Sequence, residues 1–377
     1  MNAEFGHTIR LSLFGESHGP AIGCTLSGLP PGFAIDWEAV ARDMARRRPG
    51  QGPLATARRE PDEWEILSGW FEGKTTGAPL TMIIRNGDTR SADYAPDYPR
   101  PGHADYAASL RYGGHADYRG GGRFSGRLTA PLVLAGGVAK QLIRRHGVRV
   151  GARIARIAGI ADGQMPAEEI LSVSRKPFPV YDDRAGGAMQ AAILQAKKAG
   201  DSVGGVIECA AYGCPAGLGD PLFGSLEGEI SRMMFAIPAV KGLEFGDGFA
   251  LSDRLGSEAN DPMEMRDGRV RHTANHNGGI LGGITNGEPI LLRVAIKPTP
   301  TIAQPQTTVD LAAGRTVAHA FGGRHDPCVV PRAVPVVEAG LALCLLDCLT
   351  GIQGALPPGP PAGDSSPGPL SLPHGKG

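Results

Sequence analysis

Apolar positions along this chain fall into a few helix-spaced runs, two alternating stretches and one long polar interval. Residues 36–48 predict a helix, with Asp36 as N-cap and Arg46, Arg47 and Arg48 gathered at its C-terminal end just before Pro49. From Leu128 to Arg145 apolar residues occupy several faces, which predicts a buried helix with Pro131 in its first turn. Residues 188–199 and 336–349 also read as helices, and the second is so nearly all apolar that it belongs in a core. Ile290, Leu292, Val294 and Ile296 alternate cleanly as a strand, while Val203, Val206, Ile207 and Cys209 do so loosely. Between Gly50 and Gly126 the chain is polar and loop-rich, and a connection of that length usually carries function. Helices and strands occur without regular strand-helix alternation, so the expected class is α+β, a sandwich of helices and sheets. Beyond Gly354 Pro, Gly and Ser dominate, and residues 355–377 are expected to be a disordered tail on a folded unit spanning 1–354.

Composition removes several function classes. Lys+Arg and Asp+Glu both total 38, so no overall field draws the chain to nucleic acid or to an anionic membrane. Any anion site must be a local cluster. The 56 glycines are roughly twice the usual share of about 7%, without a collagen period, and suit tight loops and close approach to ligands. Six cysteines without a C-x-x-C pair suit reduced thiols. Met1 to Ser12 lacks a signal-type apolar core, and no stretch is read as the roughly 18 apolar residues of a span, so a cytoplasmic protein is expected.

Five glycine-framed constellations remain. In Gly15-Glu16-Ser17-His18-Gly19-Pro20 a histidine that titrates near neutral pH sits where backbone can turn sharply, although alone it is more readily a satisfied turn histidine. No G-x-S-x-G elbow is present, so Ser17 is not read as a nucleophile. Arg100-Pro101-Gly102-His103-Ala104-Asp105-Tyr106 brings a second loop histidine beside a carboxylate that can orient or charge an imidazole. The triple glycine 120–122, flanked by Arg119, Arg123 and Arg127, offers backbone N–H groups and guanidinium forks as a phosphate cradle, without a Walker or dinucleotide pattern. Arg46, Arg47, Arg48, Arg58 and Arg59 form a basic cluster that is equally a solvated helix end. Asn275 to Gly283 followed by Lys297-Pro298-Thr299-Pro300-Thr301, and Gly322 to Cys328 with consecutive Arg324, His325 and Asp326, complete the set. No metal-ligand spacing appears among them. Together they fit an enzyme that binds two anionic molecules.

In order and rough spacing these segments resemble chorismate synthases. Gly15 to Gly19, Arg46 to Pro49, Arg59-Glu60-Pro61-Asp62, Arg100 to Tyr106, Pro215 to Gly219, Val240-Lys241-Gly242, Gly278 to Gly287, Lys297-Pro298-Thr299 and Arg324 to Cys328 carry the resemblance, which spans about residues 7–350. It implies anti 1,4-elimination of phosphate from 5-enolpyruvylshikimate 3-phosphate with reduced FMN, a homotetramer, and one domain with helices between antiparallel sheets. The length leaves no room for an added flavin reductase, so the resemblance implies an external reductant.

By matching position, His18 resembles the histidine that protonates reduced flavin and His103 the one that protonates the departing phosphate. Asp326 resembles the carboxylate that, acting through the flavin, helps take the ring proton, and Ser17 and Ser125 resemble supporting hydroxyls. Arg123, Phe124, Ser125, Pro238, Ala239, Gly282, Lys297, Pro298, Thr299, Pro300, Thr301 and Arg324 match cofactor contacts. Arg46, Arg47, Arg48 and Arg127 match the substrate or NADP region. Four departures stand out: Phe124 and Gly126 replace the usual Ser and Ala, Pro53 replaces a basic residue, and residues 113–117 carry one extra residue. Two other readings stay open, a related lyase with a different substrate and a noncatalytic RNA- or anion-binding protein.

Overall fold

The computed structural model describes residues 3–50, 52, 54, 60–87, 89, 91, 94–323 and 325–352. The tail at 355–377, Arg58, Arg59, Pro53 and Arg324 lie outside the described residues. Among the strands, β1 (Glu4–Phe5), β2 (Arg10–Gly15), β3 (Ala21–Ser27), β4 (Trp64–Ser68) and β5 (Leu80–Arg85) form an antiparallel sheet in the order β1-β2-β3-β5-β4. A second antiparallel sheet joins β6 (Arg149–Ile157), β7 (Ile160–Ala161), β8 (Gly205–Tyr212), β9 (Val240–Phe245) and β10 (Ile290–Ile296) in the order β9-β10-β8-β6-β7. The principal helices are α1 (Trp37–Arg47), α2 (Asp105–Arg111), α3 (Thr129–Arg145), α4 (Asp183–Lys198), α5 (Leu226–Ala236) and α6 (Val330–Ile352).

The α+β sandwich expected from the sequence is the fold. Helix α3 touches β2, β3 and β5 of the first sheet and β6 of the second, while α6 packs on α3, β6 and β8. Helices α3 and α6 thus form the filling, and α1 closes it by packing on both. The two cross closely because Gly136 has no side chain: a Cβ there would stand 2.2 Å from that of Ala339. The alternation in β10 is complete, with Ile290, Leu292, Val294 and Ile296 buried and the residues between them half-buried.

Local signals hold where capping backs the periodicity. The Asp36 carboxylate accepts a hydrogen bond from the Ala39 amide at 3.0 Å, the expected N-cap of α1. Helix α4 begins five residues before the expected 188, because Asp182 caps it through the Arg184 amide at 2.8 Å. Helix α6 begins at Val330 rather than 336 and keeps Pro335 inside it. That extension overturns the expectation that no stretch is long and apolar enough for a span: Val330–Gly351 passes that test, yet 83% of its apolar window is buried inside the protein. It is the core helix of the sandwich. The polar interval 50–126 is not all loop either, since it contains β4 and β5, and β5 is an inner strand of its sheet. Strands β2 and β3 were likewise unanticipated.

A charged cluster sits inside the helical layer. The Glu338 side chain is 2% exposed and accepts hydrogen bonds from Arg46 at 2.7 and 2.8 Å, from Lys140 at 2.6 Å and from the Ala152 amide at 3.1 Å. Burial pushes this carboxyl up, but Lys140 and Arg46 outweigh it and hold it down to about 2, against an ordinary 4.5. A depressed carboxylate stabilises the fold above its unfolded pKa and loses that contribution as protons bind the native state. The protein is therefore expected to shed about 3 kcal/mol of stability from this group between pH 4.5 and 2. Urea unfolding of wild type and Glu338→Gln across that range checks it, since the variant should lack this component.

Candidate active site

His18 lies in the turn joining β2 to β3, whose pairing closes with Gly15 opposite Ile22. Asn86, directly after β5, staples that turn by donating from Nδ2 to the carbonyls of Glu16 at 3.0 Å and Gly19 at 2.8 Å. Next to His18, Ser17 is fully buried; its amide donates to the Gly122 carbonyl at 3.1 Å and its hydroxyl accepts from Ser125 at 3.2 Å. The His18 ring has Nδ1 3.0 Å from the Ser91 hydroxyl and stands edge-on to Tyr94, with centroids 5.4 Å apart.

The triple glycine explains how two distant histidines meet. Gly120, Gly121 and Gly122 have φ of 62°, 79° and 51°, a region that other L-residues rarely enter. A Cβ on Gly120 would stand 2.4 Å from the His18 ring, and one on Gly121 would stand 3.1 Å from the His103 ring. Consecutive Cα atoms are about 3.8 Å apart, so the two imidazoles lean on adjacent residues of one loop. Gly120 and Gly121 make room for the two imidazoles, and Gly122, buried like Gly121, for the Asp117 carbonyl. Gly120→Ala is expected to cost at least about 1–2 kcal/mol from the left-handed backbone alone and to displace His18, which thermal unfolding and the His18 NMR signals would report.

Around His103 the charges are paired. Arg100 holds Asp105 through Nε and Nη2, both at 2.7 Å, and Asp105 lies 2.6 Å from Nδ1 of His103. Lys297, at the end of β10, donates from Nζ to the Gly102 carbonyl, and its amide donates to the carbonyl of Ala239 at 2.9 Å. Pro300 packs where a Gly102 side chain would be, and Thr301 comes 3.5 Å from Arg100 Nη1. The segment 297–301 therefore joins the His103 side. Tyr94 also links the two histidines, since it carries the Arg100 guanidinium 5.3 Å from its ring centre.

A second, buried set of charges lies beneath. Arg47 and Arg127, with side chains 4% and 3% exposed, share the fully buried Asp62 carboxylate: Arg47 Nη1 bonds Oδ2 at 3.1 Å and Arg127 Nη1 bonds Oδ1. Arg127 Nε donates to Asn86 at 3.1 Å, which connects this set to the His18 turn. Arg47 Nη2 donates to the Gly126 carbonyl at 2.9 Å. Burial pulls the Arg47 guanidinium below its ordinary value, with Arg332 and Arg127 adding to the pull and Asp62 opposing it. Asp326 is bonded by Arg332 of α6, and Arg332 in turn donates to the Arg47 carbonyl at 3.0 Å.

Not every expected residue joins. Arg46 is taken up by Glu338 and Asp43 inside the helical layer. Arg123 is exposed and reaches only the Leu13 carbonyl, at 3.4 Å, while Phe124 is 37% exposed with its ring 6.4 Å from that of Tyr112. Gly282 occupies a hairpin turn between Ile280–Leu281 and Ile284–Thr285, and no described contact brings it to the histidines. Pro238 precedes Ala239, which adopts a φ of 71° beside Lys297; Pro298 is exposed. Sequence reasoning passed over Asn86, Ser91, Tyr94 and Arg332, and gave no role to Asp62. Only Asp62 had a signal, in the Arg59-Glu60-Pro61-Asp62 motif.

Three buried donors in these segments have no hydrogen-bond partner among the described residues: Arg48 Nε, Arg127 Nη2 and the Thr299 hydroxyl. Arg127 Nη2 does stand 3.8 Å from the buried Glu60 carboxylate, too long for a hydrogen bond, and unsatisfied donors of this kind call for an acceptor such as water or a ligand. On the His103 side a cavity is walled by Tyr94, Tyr98, Phe124, His319 and Phe321, with Arg100, Asp105, Asp117 and Thr301 at its polar side. Aromatic walls with a few polar groups suit a planar ring system.

A family model described as chorismate synthase matches residues 9–350. Chorismate synthase of Korarchaeum cryptofilum is 48% identical over 356 residues, covering 93% of this chain and 99% of that protein. The chorismate synthase of Porphyromonas gingivalis is 48% identical over 347 residues, covering 91% and 94%. A solved chorismate synthase crystal structure superposes with a TM-score of 0.70 at 28% identity, covering 93% of this chain and 94% of the other. A full-length sequence match, the same layered fold and two histidines held on one glycine loop lead to one conclusion: the chain belongs to the chorismate synthase family.

Proposed function

We propose that this site carries out the family reaction, conversion of 5-enolpyruvylshikimate 3-phosphate to chorismate and phosphate, with His103 as proton donor to the departing phosphate. The protein is a lyase of aromatic amino acid biosynthesis. The convergence of His18 and His103 on Gly120 and Gly121 carries the reading, because it sets two proton-transfer groups on one wall. The allylic C–O bond breaks, phosphate leaves with the bonding pair, and the ring hydrogen on the opposite face leaves as a proton. When bound, reduced FMN supplies electron density to the breaking bond without net oxidation.

The chain's own groups do the rest. His103 holds a proton at Nε2, His18 would supply one to the flavin when it is bound, and Asp326, bonded by Arg332, would assist loss of the ring proton through that cofactor. Ser17 and Ser125 tie the His18 turn to the glycine loop. Lys297, Thr299, Thr301 and the aromatic walls are assigned to FMN. Arg48 and Arg127, with their open donors, and Arg47 are assigned to substrate or NADP anions.

We also infer a homotetramer supplied with reduced flavin by a separate reductase. Large apolar side chains left exposed, among them Phe223, Phe249, Met263 and Met265, support assembly. The cytoplasm is the inferred compartment, supported by six unpaired thiols. Residues 1–354 are read as one catalytic unit and 355–377 as a dispensable tail. The direct test mixes protein, reduced FMN and the enolpyruvyl ester without oxygen, and follows chorismate absorbance and released phosphate. Product from neither assay would overturn the reading, and RNA binding with a steep salt slope would replace it.

A further inference from the structure

Asp105 is the first residue of α2, and its two oxygens are fully engaged. Oδ2 accepts from the Arg100 amide at 3.0 Å and from Arg100 Nε at 2.7 Å; Oδ1 accepts from Arg100 Nη2 at 2.7 Å and faces His103 Nδ1 at 2.6 Å. Burial raises this carboxyl, but the hydrogen bonds from Arg100 and His103 outweigh it and hold it well below the usual carboxylate range. It is therefore ionised at neutral pH and can only accept. Nδ1 of His103 must then carry the hydrogen between them. Arg100 Nη2 also approaches Nδ1, at 3.1 Å, but its shorter contact is to the carboxylate. The remaining nitrogen, Nε2, lies 3.2 Å from where a Gly121 side chain would stand and 3.5 Å from Arg100 Nη2, whose shorter contact is again to the carboxylate.

We propose that Asp105 is a positioning residue for the elimination: it fixes His103 with Nδ1 as the hydrogen donor, reserves Nε2 for the leaving phosphate, and aligns Arg100 by the same two oxygens. This rests on His103 being the proton donor. With Nδ1 committed, neutral His103 has only a lone pair at Nε2, so only the imidazolium can give a proton there. Of the groups that face the ring, the Asp105 carboxylate attracts a positive charge on it and Arg100 Nη2, 3.1 Å away, repels one, while Lys297 Nζ is held on the neighbouring Gly102 carbonyl. His18 faces the same loop one residue away. Removing the Asp105 charge takes away the attraction and unmasks Arg100, and both changes destabilise the imidazolium.

Asp105→Asn is expected to lower kcat about 10- to 100-fold, within the usual range for acid-base groups. It should also move the alkaline limb of the kcat–pH profile to lower pH. Asp105→Glu should restore most of that limb, because the charge returns even if the reach does not. The limb position does not depend on how much of the sample is folded, so partial misfolding cannot imitate the shift. A carboxylate that merely suits the start of α2 would leave the limb where it is. If His103→Ala loses turnover but the Asp105→Asn limb stays at the wild-type pH, the positioning role is overturned alone. If His103→Ala keeps turnover, the proton-donor reading goes, and the proposal with it.

Discussion

His103→Ala is expected to lower turnover by about two to four orders of magnitude, the usual contribution of a positioned acid-base group. The fold should survive the change. Arg100 and Asp105 remain joined by two 2.7 Å contacts after the ring is removed, so no buried charge is left unpaired. FMN binding should persist as well, because Lys297, Thr299 and the aromatic walls do not depend on the imidazole. Anaerobic turnover with reduced FMN in excess, alongside a flavin titration, separates the two effects. Turnover within a few-fold of wild type would remove His103 from its role.

Asp62→Ala is expected to produce the largest loss of stability, about 3–5 kcal/mol, the range for removing one partner of a buried ion pair. Arg47 and Arg127 both depend on this carboxylate, and their side chains are 4% and 3% exposed. Without it the two guanidiniums would lose their shared acceptor in the interior, Arg127 keeping the Glu60 carboxylate at 3.8 Å, with Arg332 adding a third cation near Arg47. Urea unfolding measures the loss. A change of about 1 kcal/mol or less, the scale of an exposed pair, would show that the network is solvated in a way that its burial denies.

How much of this was legible in the chain differs by feature. Helices α1 and α3 were readable because periodicity, an Asp36 cap and Pro131 agreed with one another. The start of α6 was not, because Pro335 reads as a breaker although the preceding residues continue the helix. Strand β5 hid in a polar interval because its buried run Met82-Ile83-Ile84 is short and unalternating, the pattern of a strand covered on both faces. His18 and His103 were each recognisable as loop histidines, but periodicity cannot say that two turns share a wall. Their meeting depends on backbone angles at Gly120 and Gly121, which the sequence signals only as glycine. Asp326 shares one motif with Arg324, but nothing in the sequence signals that Arg332, on the first turn of the next helix, also bonds it.

Helix α6 also fixes when the molecule can be completed. It is the last described element, yet it packs on α3 and on two strands of the second sheet, and its Asp347 accepts the backbone amides of His7, Thr8 and Ile9 at 2.7–2.8 Å. Contacts spanning nearly the whole sequence are slow to form and leave earlier segments waiting. On the ribosome both sheets and α3 emerge before α6, so the face of the second sheet that α6 covers stays open until that helix is released. The nascent chain should accordingly need chaperone shelter late in synthesis, and truncations that remove α6 should aggregate rather than fold.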